Sequence, residues 1–298
     1  MSGATAKGVV GYVGLGVMGM PYARHLQKAG HEVVAYDRDE ATAARAASLG
    51  LAVAPSIAAV VREAAVVFTC LPNPEAVREV YAEIGKPGLL AIDNSTVGPT
   101  LAREIHATLA DRGTAYVECP MLGGVGEAEG GQLFLIVSGE PAAVEQALPL
   151  ALVAAKDHRV VGGPGTASLF KSVQNGLGLV QMTAIAEALA LVASAGGDLD
   201  AFIDVVGAGG GMAATPLFRA KAPMMRQSPA EAVGKLYIGA KDAALAADLA
   251  AERGLDLPLF ARSRDVYAAA MTAGLAERDV SAIAEVVEAA TGAAIRKG

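Results

Sequence analysis

The sequence predicts an α/β N-terminal domain with a doubly wound parallel sheet, joined by a long interdomain helix to an all-α C-terminal domain. Three observations carry this expectation. Short β-branched runs alternate with helical patterns through the first half, the pattern of a parallel sheet with helices on both faces. From Gly165 onward strand-like runs become scarce and alanine-rich helical patterns take over. The chain has 298 residues, 53% of them hydrophobic, which suffices for about two domains with their own cores.

The elements follow in order. Residues 8–13 (GVVGYV) read as a strand and 17–29 as a helix. A second strand, 31–36 (HEVVAY), leads to a helix at 41–49. Residues 65–70 (AVVFTC) are apolar throughout, as expected of a strand buried on both faces. Residues 89–93 form another strand, 100–111 a helix, and 114–118, 132–138 and 159–161 further strands. Residues 167–195 read as one helix that, at about 1.5 Å per residue, spans about 40 Å. Helices are expected at 230–253, 258–273 and 280–294, and the glycine run at 207–211 reads as a flexible connection. The turn Gly162-Gly163-Pro164-Gly165 marks the expected boundary between a domain at 1–164 and one at 165–298.

Composition narrows the functional classes. Charged residues make up 18% and the formal net charge is -7, which favours a folded, dispersed protein and disfavours general binding to nucleic acid. No Lys/Arg run forms a basic patch. The two cysteines, Cys70 and Cys119, are too few for a disulfide framework and read as reduced thiols. His25, His31, His106 and His158 are scattered without metal-ligand spacing. Residues 1–7 lack the charged and apolar regions of a signal peptide, and the apolar runs are interrupted before a membrane-spanning length. The expected location is therefore the cytoplasm, with no membrane partner.

Gly14-Leu15-Gly16-Val17-Met18-Gly19 is a GxGxxG motif that follows a strand and opens a helix, the context of a Rossmann-type dinucleotide site. Gly14 permits the tight turn, Gly16 lets a pyrophosphate approach the backbone, and Gly19 lets the helix pack closely on the strand. The pyrophosphate then meets the positive end of the helix. Asp37 closes the second strand eighteen residues after Gly19, near the spacing at which a carboxylate accepts the ribose hydroxyls of NAD. Arg38 beside it could instead take the 2′-phosphate of NADP. The acidic pair Asp37 and Asp39 favours NAD.

Residues 14–26 (GLGVMGMPYARHL) resemble the opening of the β-hydroxyacid dehydrogenases, the family of 3-hydroxyisobutyrate dehydrogenase, tartronate semialdehyde reductase and the glyoxylate/succinic semialdehyde reductases. Further segments match in order. Leu71-Pro72-Asn73 corresponds to a family loop beside the dinucleotide. Asp93-Asn94-Ser95-Thr96 resembles D-x-S-T, whose last residue, here Thr96, lies near the nicotinamide. Cys119-Pro120-Met121-Leu122-Gly123-Gly124 resembles the substrate loop A-P-V-S-G-G, with Leu122 where serine is usual. The resemblance implies that Met121, Leu122, Gly123 and Gly124 contact substrate, the glycine amides binding its carboxylate. Losing the serine hydroxyl should alter selectivity.

Residues 165–175 resemble G-x-G-x-x-x-K-x-x-N-N, which implies that Lys171 is the catalytic acid/base and that Asn175 orients substrate; Gln174 replaces the first asparagine. Lys171 and Asn175, four apart on a helix, share one face. Lys241-Asp242-Ala243-Ala244-Leu245-Ala246 resembles K-D-L-x-L-A, which implies a place for Lys241 by the cofactor. The segment 254–258, Gly274 and Asp279-Val280-Ser281-Ala282 continue the pattern. The resemblance implies hydride exchange between NAD(P) and the hydroxyl carbon of a β-hydroxyacid, or reduction of its semialdehyde, in a homodimer or homotetramer. Two alternatives stay open: imine or other carbonyl reduction on the same scaffold, against which Lys171 argues, and a dinucleotide sensor needing only the glycine motif and Asp37.

Overall fold

The computed structural model describes residues 8–297; the reading of residues 1–7 lies outside them. The chain divides into two compact units, Met1–Lys171 and Ser172–Gly298.

The first unit runs β1 (Val10–Val13), α1 (Gly19–Lys28), β2 (Val33–Tyr36), α2 (Glu40–Ser48), β3 (Ala52–Val53), α3 (Ile57–Glu63), β4 (Val66–Thr69) and α4 (Pro74–Glu83). It continues through β5 (Leu90–Asp93), α5 (Pro99–Asp111), β6 (Ala115–Glu118), β7 (Met121–Leu122), α6 (Val125–Gly130), β8 (Leu133–Gly139), α7 (Pro141–Ala151) and β9 (Ala155–Gly162) to the start of α8 (Thr166–Ser194). The strand order β3-β2-β1-β4-β5-β6 is parallel throughout and reverses direction at β1, the doubly wound arrangement. Beyond β6 the expected parallel pattern fails. β8 runs antiparallel to β6 and β7, and β9 pairs parallel with β8. The reason is local: β6, β7 and β8 follow one another through short connections, too short for a parallel crossover.

Strand alternation sorts the core into two layers. Tyr12, Phe68 and Ile92 point to one face, where α1 contributes Tyr22, Ala23 and Leu26 and α7 contributes Val144 and Ala147. Val13, Val67 and Ala91 point to the other, against Val60 of α3, Tyr81 of α4 and Ile105 of α5. Under β1 the Tyr12 ring stacks on Phe68 with centroids 5.7 Å apart, and Tyr22 packs 5.5 Å from Phe68.

The second unit holds the rest of α8, then α9 (Leu199–Ala208), α10 (Pro216–Gln227), α11 (Leu236–Glu252), α12 (Pro258–Thr272) and α13 (Ile283–Thr291). Met182, Ile185 and Leu189 of α8 pack with Phe218, Met225, Leu236, Tyr267 and Ile283. α8 corrects the expectation about apolar runs. It is one 29-residue helix, long and apolar enough by length and composition to cross a membrane. Met182, Ile185, Ala186 and Leu189 along it are buried in this core.

Other elements depart from the sequence expectation for identifiable reasons. α10 contains Pro223 and α7 contains Pro149, residues that argue against a helix interior, yet each helix starts with proline in its first turn and tolerates the second. α9 absorbs Gly207 from the expected connection; Asp198 caps it through the Asp200 and Ala201 amides. The expected helix at 230–253 begins only at Leu236, because Asp279 draws off the Val233 and Gly234 amides at 3.0 and 3.2 Å. The expected helix at 280–294 opens with a 3-10 turn, Val280–Ala282, and ends at Thr291. The short helices α3 and α6 and the two-residue strands β3 and β7 lack a sequence period long enough to read, whereas α4, ten residues with Ala76, Val77, Val80 and Tyr81 buried at helical spacing, carries a period that the sequence reading passes over.

Candidate active site

The glycine motif forms the turn from β1 into α1. Gly14 has φ +94°, and a Cβ there would fall 2.3 Å from the Cys70 carbonyl oxygen. A Cβ on Gly19 would fall 2.0 Å from the Gly14 carbonyl oxygen. Both positions are therefore closed to side chains by backbone. Gly16 differs: a Cβ there meets nothing within 4 Å. Nothing in the fold itself requires glycine at this point, so the open backbone is available to a ligand. Leu15 is buried, while Val17 is exposed and Met18 partly exposed. α2, α3 and α4 are capped by Asp39, Ser56 and Asn73, whereas α1 has no side-chain cap and no acidic residue in its first turn. An open Gly16 beside an uncapped helix start fits a pyrophosphate.

Asp37 is tied to this loop. Its Oδ2 accepts the Leu15 N–H at 2.7 Å and its Oδ1 accepts the Asp39 N–H at 2.9 Å. Each oxygen retains acceptor capacity for a ribose hydroxyl. Arg38 is exposed at the same corner.

The loops after β4 and β5 lie alongside, because β4 pairs with both β1 and β5. Leu71 N–H donates to Ser95 Oγ at 2.9 Å, joining the Leu71-Pro72 loop to the segment holding Thr96. Asn73 is the α4 cap. Asp93 beneath them is fully buried, accepting Thr69 Oγ1–H and Ser95 N–H at 2.8 Å and Tyr116 O–H at 3.0 Å. Burial pushes its carboxyl up, against these hydrogen bonds, which lower it. Asn94 Nδ2 donates to the Cys119 carbonyl at 2.8 Å and so reaches the next loop.

That next loop carries Met121, Leu122, Gly123 and Gly124. Met121 and Leu122 are pinned as β7 against Leu135 and Phe134. Lys171 Nζ donates to the Met121 carbonyl at 2.8 Å. Lys171 stands in the second turn of α8, whose start is fixed by Glu118, a buried carboxylate the sequence reading did not single out. Glu118 accepts the Gly165 N–H through Oε1 and the Ser168 N–H at 2.9 Å through Oε2. Ser138 Oγ donates to Glu118 at 3.0 Å and accepts the Ala167 N–H at 2.9 Å. A carboxylate at a helix N-terminus satisfies orphan amides and complements the dipole. The Gly124 amide is not open as expected: it donates to Glu127 Oε2 at 2.8 Å.

The remaining site residues lie in the second unit. Asn175 Nδ2 donates to Asp242 Oδ2 at 2.7 Å, and Lys241 Nζ sits 3.0 Å from Asp242 Oδ1. A carboxylate only accepts here, so Asn175 is oriented with its carbonyl oxygen left to accept another donor. Asp242 is a second residue without an assigned role in the sequence; its adjacency to Lys241 was the available signal. The structure thus gathers Gly14 to Gly19, Asp37, Arg38, Leu71, Pro72 and Thr96 at the carboxyl edge of the sheet, Lys171 against the Met121 loop, and Asn175 with Lys241.

Comparison with known proteins identifies the family. Residues 9–163 match the NAD-binding domain of 6-phosphogluconate dehydrogenase, and residues 165–287 match the NAD-binding domain of NADP-dependent 3-hydroxyisobutyrate dehydrogenase. The chain belongs to the β-hydroxyacid dehydrogenase family. A chain of Mycobacterium bovis named "Probable 3-hydroxyisobutyrate dehydrogenase" is 33% identical, covering 94% of this dehydrogenase and 98% of the relative. The 2-(hydroxymethyl)glutarate dehydrogenase of Eubacterium barkeri is 30% identical over 97% and 98% of the two chains. The solved structure of Mycobacterium tuberculosis 3-hydroxyisobutyrate dehydrogenase with L-serine superposes with a TM-score of 0.80 at 30% identity, covering 95% of this dehydrogenase and 99% of that one. This dehydrogenase is accordingly a hydride-transferring oxidoreductase that uses NAD or NADP.

Proposed function

We propose that this dehydrogenase interconverts a small β-hydroxyacid-type alcohol and its semialdehyde, with Lys171 as the general acid/base. The observation that supports this most directly is the 2.8 Å hydrogen bond that Lys171 Nζ donates to the Met121 carbonyl, which holds the lysine against the proposed substrate loop. When bound, the nicotinamide supplies the hydride exchange. The chain's own residues handle the proton and the orientation. In the oxidative direction the neutral Lys171 amine takes the hydroxyl proton and becomes an ammonium; in reduction the ammonium returns that proton to the carbonyl oxygen as charge develops there. Asn175, oriented by Asp242, accepts a hydrogen bond at the reacting end through its free carbonyl oxygen. Met121, Leu122, Gly123 and Gly124 form the wall for the substrate's far end, and Leu122 makes that wall more apolar.

Gly14 through Gly19 hold the pyrophosphate, Leu71, Pro72 and Thr96 flank the dinucleotide, and the family resemblance supports a cofactor-binding role for Lys241. Asp37 favours NAD over NADP, because its carboxylate would repel a 2′-phosphate. We read residues 1–164 as the dinucleotide domain and 165–298 as the substrate and oligomerisation domain. Exposed Val173, Leu177 and Leu191 on α8 support a homodimer or homotetramer. The reduced cysteines Cys70 and Cys119 support a reducing, cytoplasmic setting.

The test is Lys171→Ala. Turnover of hydroxyacids or aldehydes should fall by about 10² to 10⁴-fold, while the dissociation constant for NADH stays within about twofold. Equal turnover in the variant would remove Lys171 from the mechanism. Dinucleotide binding by the wild type without turnover of any alcohol, aldehyde or imine would favour a sensor.

A further inference from the structure

The loop after β6 carries its own anion. Glu127 Oε2 accepts the Gly124 N–H at 2.8 Å. Its stem lies over the neighbouring glycine, since a Cβ on Gly123 would fall 3.0 Å from Glu127 Cβ. Glycine has no side chain to complete a capping box, so the bond consists only of the glutamate reaching back. Glu127 is exposed, and the Gly124 amide bond holds its carboxyl below the usual range, so it is ionised at neutral pH. Leu122, two residues before Gly124, brings no polar hydrogen to offset that charge.

We propose that Glu127 is a specificity-determining residue: its carboxylate occupies the Gly124 N–H that a substrate carboxylate would need, and so selects substrates whose far end is uncharged or cationic. This rests on the reading that the Met121 to Gly124 loop faces the substrate. A carboxylate seeking Gly124 must displace Glu127 and then lie beside it. Two like charges about 6 Å apart, in surroundings between protein and water, disfavour binding by about tenfold. An amide or ester escapes the repulsion, and an ammonium group is attracted. Within the family's chemistry, this chain is therefore suited to hydroxy compounds whose acid function is masked or is balanced by an amine.

The test compares 3-hydroxypropanoate, 3-hydroxypropanamide and 3-aminopropan-1-ol, which share chain length and reacting group. Wild type, Glu127→Gln and Glu129→Gln are assayed with saturating NAD⁺. Glutamine can still accept the Gly124 N–H, so the loop keeps its cap and loses only the charge. The ratio of kcat/KM for the carboxylate over the amide should rise about tenfold in Glu127→Gln, and the ratio for the amine over the amide should fall. Glu129→Gln removes the same net charge from the same helix and should leave both ratios within about twofold. Equal shifts in the two variants, or none in Glu127→Gln, overturn the proposal. Propanoate is also titrated into the ¹⁵N-labelled protein with NAD⁺ present, following the Gly124 amide. It should bind about tenfold more tightly to Glu127→Gln, and equal affinities overturn the proposal. If no alcohol turns over in any form, the hydroxyl-oxidation reading fails, while the propanoate titration still decides the role of Glu127.

Discussion

Two glycine loops, one after β1 and one after β6, use the same residue type to opposite ends. In the first, Gly14 and Gly19 are required by their own fold, since a side chain at either would strike backbone, and they leave Gly16 facing open space. In the second, the Gly124 amide is already taken by a glutamate three residues on. A glycine-rich loop therefore does not by itself present its backbone to a ligand. Whether it does depends on what the neighbouring side chains do with the amides.

The largest test of this comparison lies inside the first loop. Gly19→Ala places a methyl 2.0 Å from the Gly14 carbonyl oxygen, which only a backbone shift can relieve. We expect a loss of about 3 to 4 kcal/mol in denaturant unfolding. A change below about 1 kcal/mol would mean that the turn yields and that the contrast with Gly16 is overstated. Gly16→Leu sharpens the contrast from the other side. Its Cβ meets no protein atom within 4 Å, so stability should stay within about 0.5 kcal/mol, while NADH affinity falls by about 100-fold because the side chain fills the space before the loop. Unchanged affinity, read by calorimetry, would move the dinucleotide away from Gly16.

The smallest effect concerns the two cysteines, one beside each loop. Cys70 follows β4 next to Gly14 and is partly exposed; Cys119 leads into the Met121 loop and is buried. Burial pushes the Cys119 thiol up to about 12, with the Asp93 charge adding to it. At mildly alkaline pH an alkylating reagent should label Cys70 and spare Cys119 in the native protein. The linkage has a definite sign. The unfolded thiol ionises near its ordinary value of 9.0 while the folded one stays protonated to about 12, so its contribution to stability is intact below 9.0 and lost as pH rises towards 12. Rapid labelling of native Cys119 would show that the second loop opens more freely than its hydrogen bonds imply.

The sequence makes one kind of information readable and hides another. The parallel strands are legible because each is a short β-branched run, and GxGxxG is legible because its spacing reflects a backbone requirement local to one turn. α8 is legible for its length. The antiparallel return through β7 and β8 is not, because it depends on which strand receives a two-residue segment. The first turn of the helix expected to start at residue 230 is lost to Asp279, a residue more than forty positions away. Among the candidate site residues, Lys171 and Asn175 are visible through spacing and resemblance. Glu118, Asp242 and Glu127 are not, because their importance lies in which donors or cations they meet: the start of α8, the pair Asn175 and Lys241, and the Gly124 amide. A carboxylate's sequence position says little about the donors that will surround it.

Asp37 has a consequence for how cofactor preference could evolve. The same carboxylate that would read the ribose also braces Leu15 and Asp39 through their amides. Replacing it to admit a 2′-phosphate would strip an acceptor from the loop proposed to hold the pyrophosphate. The route from one dinucleotide to the other is thus epistatic, passing first through a change that re-braces the loop and only then through the loss of Asp37.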